Sequence, residues 1–323
     1  MDLQKFYMGE SFDAYEFFGA HRDGDGFTFR TFAPNARGIT VTGEFNNWQE
    51  TPLEQYYQSG IWSCHIGNAA FGQMYKYCIY GQNGRQEHCD PYGFGMELRP
   101  GACSIIRDLS EYRFTDDAWM AKRTRSYDEP LNIYEMHIGS WKKLGKAFPR
   151  YDEIADELID YLKENNYNSV EFMPLSEHPF DGSWGYQNTG FFAPTSRYGT
   201  AAQLMELVDK LHQEGFFVAM ETNGTRAVAK NIDWVTISPK NCFVDKKVRL
   251  VADKVDEMKV VFDGIHDPKL YSHIGGNPYL CLQPCDTGDE VRNRQVVLQC
   301  VDYIQKHPQW HLSLQTQQYL QIR

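Results

Sequence analysis

Residues 211–225 read LHQEGFFVAMETNGT. Leu211 to Glu214 end an amphipathic pattern and Gly215 supplies its stop. Phe216 to Met220 then form an apolar run that closes on the polar turn Glu221-Thr222-Asn223-Gly224-Thr225. A helix that stops at glycine and passes at once into a strand is the repeating step of parallel α/β folds. The step fixes the fold class of this half of the chain. What lies on either side of it decides whether one fold or two meet there.

Upstream, the same alternation runs back to residue 131. LNIYEMHIGSW reads as a strand, and EIADELIDYLKENN as a helix with Ile154, Leu158, Tyr161 and Leu162 on one face. NSVEFMPLSEH is the next strand, and AAQLMELVDKLHQEG the helix that enters the quoted stretch. Downstream, FFVAMETNG, DWVTISPK, KVVFDG and YLCLQP are short apolar strands, NRQVVLQCVDYIQKHP a helix and HLSLQT a last strand. These are about seven strands, close to the complement of a (β/α) barrel, whose sites gather at the carboxyl ends of strands. Residues 10–110 differ: FTFRTFAPNA, GITVTGEFNNW, GIWSCHIG and QMYKYCIYG alternate with period two between turn residues, the pattern of a β-sandwich. The expected organisation is multidomain, with a sandwich over 1–115, a polar connector over 116–130 and an α/β barrel-like region from 131 onward.

Composition excludes several classes. The 323 residues carry a formal net charge of −11 and no Lys/Arg cluster, which argues against a nucleic-acid partner. No apolar run reaches about 18 residues, so no membrane span is expected, and the opening MDLQKFYMGESFDAYEF lacks a signal-peptide pattern. A cytoplasmic location is the simplest expectation. The eight cysteines are scattered, with only Cys281 and Cys285 close together, so no metal site is expected.

Candidate site residues fall at strand ends. Glu135, His137, Glu177 and His178 are followed by a long loop, residues 179–200, that carries Trp184, Tyr186, Phe191, Phe192 and Tyr198. Aromatics interleaved with Asp, Asn, Gln and Ser suit pyranose rings, whose apolar faces stack while their hydroxyls need hydrogen-bond partners. A loop that buries its own aromatics as a plug fits the same residues equally well.

FYMGESFDAYEFFGAH, FRTFAPNA, VTGEFNNW, DPYGF, YEMHIGSW and EHPFDGSWGYQNTGFFAPTSRYGT together resemble the glycogen (1,4-α-glucan) branching enzymes of glycoside hydrolase family 13, in order and spacing, over residues 6–215. The resemblance implies a family 48 carbohydrate-binding module in the sandwich and the first part of a (β/α)8 barrel over 131–215. It further implies α-glucan as partner, with Tyr186 lining the subsite at the reacting glucose and Trp184 and Asp181 in the same loop. In that family the third barrel strand carries Asp-x-x-x-x-His, and the nucleophile and acid/base follow on the fourth and fifth. Here the strand reads FFVAMETNGT, and neither catalytic motif follows it. Retaining chemistry needs two flanking carboxyls about 5–5.5 Å apart, and Glu135, Glu177, Glu221 and Asp263 do not match those positions.

FFVAMETNGT, IDWVTISPK, DEMKVVFD, LCLQPCD and HPQWHLSLQT instead resemble the C-terminal part of 7-carboxy-7-deazaguanine synthase, a radical S-adenosylmethionine enzyme of queuosine biosynthesis, over 216–323. That resemblance implies that Glu221, Thr222, Asn223, Ser238, Lys240 and Gln283 stand around S-adenosylmethionine. It also implies a [4Fe-4S] cluster on three N-terminal cysteines, which this chain does not supply at that spacing; the ending QTQQYLQIR departs from the family as well. The expectation is a hybrid, incomplete barrel with no resident cofactor, in which S-adenosylmethionine is the one small molecule the C-terminal part would admit. Whether the chain is an enzyme at all stays open at this level, since each resemblance lacks its catalytic motif.

Overall fold

The computed structural model describes residues 1–8, 11, 13–57, 59–123, 130–142, 145, 147–222, 232–239, 255–271 and 278–314. It divides into two compact units: 13–218 with Met1, and 2–12 with 219–323.

The first unit opens with two antiparallel sheets. One holds β1 (Gly19–Asp23), β2 (Gly26–Phe32), β5 (Glu54–Gln55) and β6 (Ile61–Ile66) in the order β1-β2-β6-β5. The other holds β3 (Gly38–Gly43), β4 (Thr51–Pro52), β7 (Met74–Gly81) and β8 (Gly84–His88) in the order β4-β3-β7-β8, with β9 (Ser104–Ile105) paired to β7. The period-two pattern sets which side chains meet: Phe27 and Phe29, Ile39 and Val41, Trp62 and Ile66, and Tyr75 and Tyr77 share one buried cluster. Burying such side chains contributes roughly 1.5–3 kcal/mol each, which makes this cluster the main support of the module. Within it Asp90 is fully buried and accepts from the Tyr75 hydroxyl at 2.7 Å and the Tyr92 N–H at 2.8 Å.

The α/β part of the same unit begins at β10 (Ile133–Met136), parallel to β11 (Ser169–Phe172). The expected strand over LNIYEMHIGSW is shorter than its apolar run. At His137 the chain turns into a short helix, Ile138–Trp141, with the Ser140 N–H bonded to the His137 carbonyl. NSVEFMPLSEH likewise breaks at Pro174, giving β11 and then β12 (Ser176–Glu177), which pairs antiparallel with β13 (Gly190–Pro194).

Two amphipathic helices, Tyr151–Glu164 and Ala201–Gln213, bury Ile154, Leu158 and Leu162 and, in turn, Leu207 and Leu211. The second is N-capped by Thr200 and ends before Gly215, whose φ of +85° closes the step from which the reading began. Its Asp209 also ties down the chain leaving the sandwich, accepting from the Tyr112 hydroxyl at 2.6 Å and the Thr115 N–H at 3.0 Å.

In the second unit β14 (Phe217–Thr222), β15 (Trp234–Ile237), β16 (Glu257–Phe262), β17 (Tyr279–Pro284) and β18 (Trp310–Leu312) pair in parallel and in sequential order. Val235, Ile237, Met258, Val260, Leu280, Leu282 and Trp310 bury one face with Val296 and Cys300 of the helix Glu290–Lys306. Glu221, Thr236, Glu257, Lys259 and Cys281 alternate with them along the strands and so occupy the opposite face. The expected barrel is thus represented by parallel sheet, and among the described residues β18 pairs with β17 alone.

Candidate functional site

The loop between β12 and β13 is built around a buried cation. Arg197 places its guanidinium inside the first unit, with its side chain 1% exposed, and bonds Glu177 Oε1 at 2.6 Å. Glu177 is itself buried and accepts from the Ser196 N–H at 2.7 Å and the Thr195 hydroxyl at 3.1 Å. An ion pair out of water is tolerated only when its remaining donors and acceptors are met in this way. Glu177 is therefore a structural carboxylate, and His178 beside it is buried with Nδ1 2.9 Å from the Ser176 carbonyl.

The other edge of the Arg197 guanidinium reaches Asp181, at 2.9 Å from Nε and 2.7 Å from Nη2 to Oδ1. Arg99, from the sandwich, approaches the same carboxylate with both Nε and Nη2, the first at 2.5 Å from Oδ1. The bonds from Arg99, and then those from Arg197, hold the Asp181 carboxyl below the usual carboxylate range.

Asp181 starts the short turn Asp181–Ser183, and Trp184 donates its N–H back to the Asp181 carbonyl at 3.0 Å. Trp184 takes a left-handed conformation and Gly185 follows at φ +87°, where a Cβ would lie 2.4 Å from the Pro174 carbonyl oxygen. Only glycine fits there. The turn lifts Trp184 to 50% exposure with its ring stacked on His137 at 5.6 Å, while Tyr186 is 65% exposed. Burial, and then the nearby His178, push the His137 imidazole below its ordinary pKa, so a neutral ring backs the indole.

The loop's aromatics divide between the two uses. Trp184, Tyr186 and Phe191 are exposed, whereas Tyr198 is buried between Tyr151 and Phe148, and Phe192 stacks on Tyr92 at 5.5 Å. Phe180, 61% exposed at the head of the turn, joins the exposed set; sequence reasoning passed it over because an apolar residue before Asp-Gly-Ser carries no signal of its own. It also passed over Arg99 and Arg197, since nothing local marks partners 82 residues away for the one and 16 and 20 residues away for the other. Glu135 is exposed on β10, in register with Glu171.

In the second unit Glu221 and Thr222 end β14, Ser238 follows β15 and Gln283 lies near the end of β17, three carboxyl ends of one parallel sheet. The Ser238 N–H donates to the Thr222 carbonyl at 2.7 Å, and Glu221 pairs with Lys259 at 3.1 Å. Asn223 and Lys240 lie outside the described residues. Asp263 is a turn carboxylate: burial would raise its pKa, but the Ile265 and His266 N–H groups and the His266 ring hold it low.

Cys281 lies on the polar face and Cys300 in the apolar core, and burial pushes both thiols up to about 12. Among the described residues no group of three or more His, Cys, Asp or Glu is arranged to hold a metal ion. No helix among them is long and apolar enough to cross a membrane.

Comparison with known proteins adds three findings. Residues 17–93 match carbohydrate-binding module 48 (isoamylase N-terminal domain). The 1,4-alpha-glucan branching enzyme GlgB of Francisella tularensis subsp. novicida is 44% identical over 231 residues, and that of Francisella philomiragia 42%, each alignment covering 68% of this chain. The chain spans only 36% of the length of these relatives. A crystal structure from Salmonella typhimurium assigned as an alpha amylase superposes on 83% of this chain and 50% of its own, at a TM-score of 0.56 and 16% identity, a likeness of fold alone. The N-terminal part of the chain is therefore homologous to 1,4-alpha-glucan branching enzymes and carries a carbohydrate-binding module 48.

Proposed function

We propose that this chain holds α-glucan through its carbohydrate-binding module and the loop at 179–200, without making or breaking glycosidic bonds. The observation that carries the binding half is the exposed Trp184, backed by His137 and raised beside Tyr186 on a turn with charged anchors. A flat indole held in this way offers a stacking surface to a pyranose ring without ordering it anew on binding.

The absence of catalysis rests on residue accounting. Glu177 is spent on Arg197, Asp181 on two arginines and Asp263 on its own turn. FFVAMETNGT stands where the resemblance calls for the third catalytic-barrel strand. General acid–base help is worth about 10²–10⁴-fold, so a chain without that pair retains little transfer activity.

Affinity electrophoresis tests the binding half: glycogen in a native gel should retard the protein, and Trp184→Ala should reduce the retardation. An unchanged mobility of the wild type refutes the reading. An iodine-stain change on amylose would refute the claim that no bond is transferred.

A second reading concerns the second unit. Glu221, Thr222, Ser238 and Gln283 end neighbouring strands of one parallel sheet, which favours a retained affinity for S-adenosylmethionine, as the 7-carboxy-7-deazaguanine synthase resemblance implies. No radical step is assigned, because the three cysteines that the resemblance implies are not supplied at that spacing. Equilibrium dialysis with radiolabelled S-adenosylmethionine decides it: saturable binding supports the reading and its absence ends it. Stoichiometric iron and sulfide after anaerobic reconstitution would overturn the exclusion of a cluster.

A further inference from the structure

Asp181 and Arg99 form a contact that neither residue's neighbourhood explains. Arg99 lies in the turn 97–103, which is fastened by the Glu97 N–H to the Cys103 carbonyl at 2.8 Å and continues into β9 of the sandwich. Its guanidinium meets Asp181 through two nitrogens, the fork geometry that fixes orientation as well as distance. Asp181 therefore stands between two cations, one rooted in the sandwich and one in the buried Arg197–Glu177 pair. Its backbone carbonyl receives the Trp184 N–H, and the Ser183 carbonyl receives that of Tyr186 at 3.0 Å. Hydrogen bonds thus link the sandwich to Asp181 and Asp181 to the Trp184 backbone, and the same short turn holds the Tyr186 N–H on Ser183.

An isolated exposed ion pair contributes little, because solvent screens it and the side chains lose freedom in making it. This pair differs in being bidentate and in sharing its carboxylate with a guanidinium that has no other freedom. We propose that Arg99 is a positioning residue, by which the sandwich holds Trp184 and Tyr186 in the orientation that accepts a glucan chain. The module then acts on the loop's affinity in addition to any glucan it binds itself. This rests on the reading of the loop as a glucan site.

The test uses the full chain with Arg99→Gln and Arg99→Ala, hydrogen exchange read at Ser183, Trp184 and Tyr186, and maltoheptaose as the probe. Arg197 remains in both variants, so the effect is partial. Loop amides should exchange about three- to fivefold faster and maltoheptaose should bind about three- to fivefold more weakly, with exchange at Phe27 and Phe29 unchanged. In a Trp184→Ala/Tyr186→Ala background the same change at Arg99 should cost nothing further, an outcome that a general loss of stability does not produce.

Unchanged loop exchange in both variants overturns the proposal, as does faster exchange with unaltered maltoheptaose affinity. If the wild type binds no maltoheptaose, the glucan reading falls, while the exchange arm still decides whether Arg99 holds the loop. Should Arg99→Ala fail to fold, Arg99→Gln, which keeps the size and a donor, carries both arms.

Discussion

At the scale of single residues, paired charges hold the loop at 179–200 together. Arg197 is the clearest case, because Glu177 is buried with it. Removing one partner of a buried pair leaves the other charge without compensation, at a cost of about 3–5 kcal/mol. Arg197→Ala should lower unfolding stability by that order in urea titrations, whereas a substitution at exposed Glu135 should leave it nearly unchanged.

Asp90 gives the pH prediction. Burial raises its pKa to about 6, against bonds from the Tyr92 N–H, Tyr75 and Tyr77 that lower it. A carboxyl raised above its unfolded value binds its proton more tightly when folded. Its contribution to stability is therefore fully present below about pH 4 and is lost as pH rises through 6. Between about pH 4 and pH 8 wild type should lose about 2 kcal/mol relative to Asp90→Asn, and a constant difference between the two proteins would refute this.

Residue types were legible in the sequence here, and partners were not. The Asp-Gly-Ser-Trp-Gly-Tyr run marks a turn with aromatics, but Arg99 and Asp181 are 82 residues apart and meet only through the fold.

At the scale of elements, periodicity made most of the chain readable. β2, β3, β6 and β7 follow from alternation because one side of each faces the shared core. β1 and β8 do not, since both are edge strands without apolar rhythm: Gly84–His88 is exposed throughout, and in Gly19–Asp23 only Ala20 packs on the core. The apolar runs at LNIYEMHIGSW and NSVEFMPLSEH overstate their strands for a different reason: a local bond from Ser140 to His137 and a proline at 174 end the ladder before the hydrophobicity ends.

The turn at 181–186 yields its own prediction. Gly185→Ala would force a Cβ to within 2.4 Å of the Pro174 carbonyl oxygen at a φ that disfavours any side chain. The loop must shift, so glycogen retardation should weaken while the sandwich keeps its exchange protection. Unaltered retardation would show that the conformation of this turn is not what presents Trp184.

At the scale of the whole chain, sequence and fold divide the molecule unequally. The branching-enzyme relatives cover 68% of it, and the amylase-like fold superposes on 83%, so the likeness in backbone extends further than the likeness in sequence. Parallel strands with covering helices tolerate wide divergence in sequence, because each strand needs only an apolar face and a neighbour in register. The boundary between the two units falls at Val218/Ala219, inside β14, the strand that begins the second resemblance.

If glucan is held by the first unit alone, maltoheptaose at a hundredfold excess over Kd should stabilise that unit by about 2.7 kcal/mol, seen in calorimetry as a rise in its melting temperature. A ligand that stabilised only the second unit would contradict the assignment of the site.

The most direct test of the central claim is glycogen affinity electrophoresis of wild type beside a Trp184→Ala/Tyr186→Ala double variant. The account predicts strong retardation of the wild type and a clear loss in the variant, with equal mobility of the two when glycogen is omitted. A wild type that migrates alike with and without glycogen would contradict it.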